Sequence, residues 1–100
     1  MVQAQIFIDA DELIGSKLLY EYILELLIKQ KVKGATVFRG RSGFGANQYL
    51  KRPNDFFSFD ETPYQIVFID EEEKVHAALT ELRQHYKGGF IVTNKVDIWK

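Results

Sequence analysis

Between Val2 and Asp9, Ile6 and Ile8 alternate with Gln5, Phe7 and Asp9, and no helical stripe can be drawn through the run. That period of two predicts a strand over residues 2–9. From Ser16 to Val32 the period changes: Leu19, Tyr22, Ile23, Leu26 and Leu27 fall at the i, i+3, i+4, i+7, i+8 spacing of a core-facing helix. Glu25 and Lys29 stand four apart on that helix, a favourable ion-pair spacing. Gly34 stands where a left-handed residue would end the helix, and Ala35 to Arg39 begins a second strand of β-branched and aromatic residues. After Gly40 to Glu61, a third strand is predicted over Tyr64 to Ile69, bounded by Pro63 and an acidic cluster.

Asp70 followed by Glu73 forms a capping-box-like pair in front of Val75, Ala78, Leu79, Leu82 and Tyr86, which predicts a second helix. Gly88 and Gly89 stop it. Phe90 to Val92 and Val96 to Trp99 then predict a last strand, bent or bulged around Thr93 to Lys95. The two halves also resemble each other: Ile6-Phe7-Ile8-Asp9 mirrors Val67-Phe68-Ile69-Asp70, and Lys33-Gly34-Ala35-Thr36-Val37 mirrors Lys87-Gly88-Gly89-Phe90-Ile91. Two strand-helix-strand units with right-handed crossovers imply an α+β, ferredoxin-like βαββαβ fold, with both helices on one face of a four-stranded antiparallel sheet. The other face has no covering layer, and apolar residues at both strand parities point to homo-oligomerisation as its cover.

The length of 100 residues fits a single domain spanning 1–100. Apolar residues make up 46%, with eight Phe, five Tyr and one Trp, so a packed core is expected and disorder is not. The chain has no cysteine, which excludes disulfides and Cys-based metal sites and fits a cytoplasmic setting. No apolar run approaches bilayer length, and Asp9, Asp11 and Glu12 near the start do not suit a signal peptide. With a net charge of −1 there is no overall field to attract nucleic acid, so any anion site must be local.

A connection as long as Gly40 to Glu61 inside a compact domain is usually functional or disordered. Its first part, Arg39-Gly40-Arg41-Ser42-Gly43-Phe44-Gly45-Ala46-Asn47, mixes glycines with two arginines. Glycine backbone can converge on an anion, and arginine adds charge-assisted hydrogen bonds to phosphate or carboxylate. The same composition also suits a plain hairpin or bulge. It is neither a P-loop, lacking Gly-Lys-Ser/Thr, nor a dinucleotide fingerprint, since no long helix follows. The second part, Tyr49 to Phe59, sets Lys51 and Arg52 among Phe56, Phe57 and Phe59. Those aromatics suit packing onto a neighbouring subunit or a partner-facing surface.

The ordered run Gly34-Ala35-Thr36-Val37-Phe38-Arg39-Gly40-Arg41-Ser42-Gly43-Phe44-Gly45, then Asp55-Phe56-Phe57-Ser58, Asp70-Glu71-Glu72-Glu73 and Gly88-Gly89-Phe90-Ile91-Val92-Thr93, resembles a small PII-like family known as domain of unknown function 190. The resemblance covers nearly the whole chain. It implies the fold of nitrogen-regulatory PII proteins: a trimer that binds nucleotides in clefts between subunits and projects a long loop after the second strand toward partners. Gly43-Phe44-Gly45 matches the base of that loop, and Asn47 stands where PII proteins carry a Gln. Lys87, Gly88 and Gly89 match the loop that supplies glycine backbone and a Lys to the phosphates. On this resemblance the ligand-binding residues are Arg39, Arg41, Gly43, Gly45, Asn47, Lys87, Gly88 and Gly89, and the partner loop carries Tyr49, Lys51, Arg52, Phe56 and Phe57. The PII segment with paired arginines has no counterpart up to Lys100, and no tyrosine is placed for uridylylation, which argues against ATP and 2-oxoglutarate sensing. An adenine nucleotide or another small anion remains the expected ligand. Relatives associated with fluoride-channel proteins suggest a membrane channel or transporter as a partner.

Three other classes compete. Catalysis would need a base, but His76 and His85 lie nine residues apart on the second helix, facing different sides, and no paired catalytic carboxylates stand out. The acidic run Asp70 to Glu73 is explained by the helix N-terminus alone. An RNA-recognition module shares the element order, but Gly-Phe-Gly falls after the second strand and the third strand ends in acid. A metal-tolerance protein of the same trimeric architecture is disfavoured by the missing cysteines. The sequence thus points to a ligand-binding regulator without enzymatic activity, and to no nucleic-acid partner.

Overall fold

A computed structural model describes residues 1–44 and 62–100. Their elements are β1 (Val2–Asp9), β2 (Leu13–Ile14), β3 (Lys17–Leu18), α1 (Leu19–Lys29), β4 (Ala35–Arg39), β5 (Pro63–Asp70), α2 (Glu72–His85) and β6 (Phe90–Lys95). The main sheet runs β4-β5-β1-β6, and every neighbouring pair is antiparallel. This is the expected ferredoxin-like arrangement.

Strand parity decides which side chains meet the helices. Val2, Ala4, Ile6 and Ile8 of β1 and Ile66 and Phe68 of β5 are buried against Leu19, Ile23, Leu26 and Leu27 of α1 and Val75, Ala78 and Leu82 of α2. The opposite parity forms the open face. There the register aligns Phe38, Gln65, Phe7 and Phe90 across all four strands, flanked by a row of Thr36, Val67, Gln5 and Val92. Phe38, Phe90 and Ile69 are 53%, 64% and 38% exposed, and the Phe7 and Phe90 rings lie 6.2 Å apart. The uncovered apolar face expected from the sequence is therefore present in the single chain.

Several boundaries differ from the sequence expectation. Residues Ser16 to Leu18 are not helical: Leu13–Ile14 and Lys17–Leu18 pair as a small hairpin turning at Gly15, whose φ is 61°. Glycine adopts that angle at the least cost, which favours a turn here ahead of the helix. Glu25 pairs with Lys17 of this hairpin, not with Lys29. At the other end of α1 the left-handed residue is Lys31, at φ 66°, and not Gly34.

Asp70 does not cap α2. The residue before the helix is Glu71, and Asp70 is buried at the end of β5, its carboxylate accepting from the backbone N–H of Glu71 at 2.7 Å and of Lys33 at 3.0 Å. It therefore joins two crossovers. Finally, β6 runs unbroken from Phe90 to Lys95, pairing with β1 from Phe7↔Phe90 to Val2↔Lys95, without the bulge expected at Thr93 to Lys95. Residues 96–100 are not in strand.

Candidate functional site

The expected ligand residues gather at one end of the sheet, where β4 and β1 finish and β5 and β6 begin. Arg39 closes β4 opposite Tyr64, and its Nε donates to Oγ1 of the buried Thr62 at 3.2 Å. Gly40 follows, its N–H donating to the Pro63 carbonyl at 2.7 Å. A Cβ at Gly40 would meet Pro63 Cγ at 2.7 Å and one at Gly43 would meet it at 3.6 Å, so this glycine turn lies flat on the proline ring. Close packing accounts for Gly40 by itself. Arg41 extends into solvent beyond the turn, and Phe44 is 68% exposed.

The second group sits at the same end of the sheet but on its other edge. Lys87, Gly88 and Gly89 link α2 to β6, and all three are exposed. Gly89 has φ 68°, and a Cβ there would come within 3.0 Å of the Phe7 carbonyl oxygen. Gly88 lies under the Tyr86 ring, where a Cβ would meet the hydroxyl at 2.7 Å. Three strand spacings of about 4.8 Å separate β4 from β6, so the two groups stand roughly 14 Å apart within one chain. The structure brings Arg39, Arg41 and Gly43 together, and separately Lys87, Gly88 and Gly89, but not the two sets with each other. Gly45, Asn47, Tyr49, Lys51, Arg52, Phe56 and Phe57 lie outside the described residues.

A network holds the glycine pair in shape. Arg83, in the last turn of α2, donates through its Nη1 to the carbonyls of Tyr86 at 3.2 Å and Gly88 at 2.6 Å. The Tyr86 hydroxyl donates to the Glu12 carboxylate, and a second Glu12 oxygen accepts from the Asp9 N–H at 3.3 Å. Burial, then the bond to Glu12, raises the Tyr86 pKa well above that of an ordinary phenol, so the donor is retained across physiological pH. The sequence pattern places Tyr86 in the core stripe and gives Glu12 and Arg83 no role at the site. Arg83 precedes Tyr86 by three and Gly88 by five, close enough to bond the carbonyls of a chain leaving its own helix, which was the only available cue.

Other chemistry is sparse among the described residues. No group of three or more His, Asp or Glu side chains there could hold a metal ion. His76 and His85 are exposed on α2, and His85 Nε2 lies 3.3 Å from Glu81 Oε1. No described helix is long and apolar enough to cross a membrane. The open face is lined by Phe, Val, Ile, Gln, Thr and Asn, and no Lys or Arg stands in its two central rows to neutralise a phosphate backbone. Its aromatics therefore suit protein contact better than RNA.

Comparison with known proteins agrees with this architecture. A UPF0166 protein of Aquifex aeolicus is 33% identical over 84 residues, covering 84% of this chain and 80% of its own length. Among solved structures, CPII, a nitrogen regulatory PII-like protein from Thiomonas intermedia K12 bound to ADP, AMP and bicarbonate, superposes with a TM-score of 0.70 at 20% identity, covering 93% of this chain and 82% of that one. The divalent ion tolerance protein CutA1 from Ehrlichia chaffeensis superposes with a TM-score of 0.64 at 12% identity, covering 99% and 83%. At those identities the two structures speak for the fold alone. The family model described as DUF190, Uncharacterized ACR, matches residues 1–98, and the chain belongs to that family.

Proposed function

We propose that this chain is a PII-like regulatory protein of the cytoplasm. Copies associate through the open sheet face, as a trimer, and a small anionic, nucleotide-like ligand binds where the β4 edge of one copy meets the β6 edge of the next. The carrying observation is the division of the candidate residues: Arg39, Arg41 and Gly43 on one edge and Lys87, Gly88 and Gly89 on the other, at the same end of the sheet. Two half-sites on opposite edges complement each other only between chains. A head-to-tail contact repeated around an axis joins them once per interface.

Each half has the groups an anion needs. The Gly88-Gly89 turn keeps backbone close to any ligand, and Arg41 can supply a charge-assisted, bidentate contact. An adenine nucleotide is the first ligand to test, because CPII, of the same fold, carries ADP and AMP. Recognition of a protein partner falls to residues 46–60, with Tyr49, Lys51, Arg52, Phe56 and Phe57, a membrane channel or transporter being the candidate. The protein binds its ligand without turning it over.

Light scattering combined with thermal unfolding tests this reading. The expected mass is three times 11.6 kDa. The melting temperature should rise with AMP or ADP, with and without bicarbonate, since a ligand at a hundred times its Kd adds about 2.7 kcal/mol to the folded state. A monomer at all concentrations, or no rise with adenine nucleotides, cyclic dinucleotides or carboxylates at millimolar levels, would overturn it. Consumption of the stabilising ligand would point to an enzyme instead.

A further inference from the structure

At the opposite end of the sheet, α1 and the start of β4 enclose an apolar groove lined by Leu24, Leu27, Ile28, Val32, Gly34 and Ala35, with about 280 Å³ of open space and Ile28 71% exposed. Lys33 stands on its rim, and Lys29 and Lys31 are exposed beside it. The same end of the sheet releases an apolar segment. β6 finishes at Lys95 opposite Val2, the N–H of Val96 donates to the Met1 carbonyl at 3.1 Å, and beyond it Trp99 is 95% exposed. A side chain that buries about 150–250 Å² in cores and interfaces is here left in water.

We propose that Trp99 of one copy docks in the α1–β4 groove of a neighbouring copy. Asp97 and Trp99 stand two apart, so in an extended docking segment they share one side, and an indole entering the groove brings the Asp97 carboxylate toward the lysines of its rim. The occupant comes from another chain: within its own chain Trp99 is 95% exposed, outside the groove, which lies at the limit of its reach. Groove and segment lie at opposite edges of the sheet, separated by three strand spacings, roughly 14 Å. Trp99 is four residues past Lys95, at most about 14 Å when fully extended. The Val96 bond to Met1 already directs part of that length along β1 and not across the sheet. A copy whose β6 edge lies beside this β4 edge delivers the segment directly. Donor and acceptor surfaces differ, so the contact is heterologous and repeats around a closed ring.

The contact rests on the self-association proposed above, not on ligand binding. Trp99 is the single tryptophan of the chain, so its emission reports on the surroundings of that side chain alone. In the full chain, at concentrations where light scattering gives an oligomer, the emission should be blue-shifted and shielded from a soluble quencher. Ile28→Lys, at an exposed position that leaves the fold intact by circular dichroism, should return it to that of a water-exposed indole. Mixing Ile28→Lys chains, which keep Trp99, with Trp99→Phe chains, which keep the groove, should restore the blue shift.

Each opposite outcome overturns the proposal: a wet indole in the wild-type oligomer, a blue shift that survives Ile28→Lys, or no recovery on mixing. A wet indole in an intact oligomer sinks this contact only. A monomer at every concentration sinks both it and the association on which it rests.

Discussion

The Asp70 carboxylate accepts the backbone N–H of Lys33 at 3.0 Å, so a side chain at the end of β5 fixes the turn that carries the chain from α1 into β4. The same carboxylate accepts from Glu71 N–H at the entry to α2. One buried acceptor thus serves both crossovers. Asp70→Ala leaves two donors without it and should cost about 2–3 kcal/mol, and Asp70→Asn, which keeps one acceptor oxygen, should cost less. Urea unfolding at pH 7 checks both.

The pH dependence of that difference has a definite sign. The Glu71 N–H bond, followed by the Lys33 N–H bond and the nearby charges of Lys74 and Lys33, holds the Asp70 carboxyl below its ordinary value despite burial. Because its pKa is lower in the folded state, its contribution is fully present above the unfolded value of about 3.9 and is lost as pH falls below it. The stability gap between wild type and Asp70→Asn should therefore be constant from pH 7 to about 5 and close as pH drops further. A gap that stays constant down to pH 2 would show that the charge on Asp70 contributes nothing.

The glycines flanking β4 should respond oppositely to alanine. Gly40→Ala places a Cβ 2.7 Å from the Pro63 ring, which cannot swing away like a flexible chain, and should destabilise by about 1–3 kcal/mol. Gly34 has nothing within 4 Å of the added Cβ and no left-handed φ. Gly34→Ala should thus leave stability unchanged or raise it by about 0.4–1 kcal/mol, by restricting the unfolded chain. Thermal melts of the two variants settle the contrast.

Much of the scaffold was legible because period two and period 3.6 separate cleanly here. The runs Val2 to Asp9 and Ala35 to Arg39 are strands, and Leu19, Ile23, Leu26 and Leu27 make up the buried stripe of α1. What escaped reading depended on neighbours distant in sequence. Asp70 before an acidic run has the local form of a cap, yet Lys33, 37 residues away, draws it into the core. Gly15 turned a presumed first helical turn into a hairpin, and Lys31 took the left-handed position expected of Gly34. At the candidate site, composition nominated the Gly-Arg turn and the Gly88-Gly89 pair. It could not reveal that Arg83, Tyr86 and Glu12 brace one of them, because that network is set by tertiary packing.

If the open face is where copies meet, a charge placed on its β4 edge should separate them without unfolding the chain. Phe38 is 53% exposed in a row with Gln65, Phe7 and Phe90. In an isolated chain Phe38→Lys should change stability by about 0.5 kcal/mol or less, as at other surface positions. In the oligomer it leaves an unpaired ammonium against apolar neighbours. Light scattering should therefore report a smaller mass with an unchanged circular dichroism spectrum, and an oligomer that survives the substitution would place the contact elsewhere.

If the glycine-containing groups on opposite edges are halves of one site shared between copies, variants of each should complement one another. Arg41→Glu reverses the charge on the β4 side, and Gly89→Val forces a β-branched residue to φ 68° on the β6 side, so every interface in either pure variant lacks one half. Neither should gain stability from ADP under conditions where wild type does. After subunit exchange in an equal mixture, about one interface in four pairs an intact β4 edge with an intact β6 edge. ADP binding measured by calorimetry should then recover to roughly a quarter of the wild-type stoichiometry at wild-type affinity, since each restored site contains only native groups. If each site were built within one chain, no mixing ratio would restore it. Recovery in the mixture therefore separates a cleft shared between copies from a pocket belonging to a single protomer.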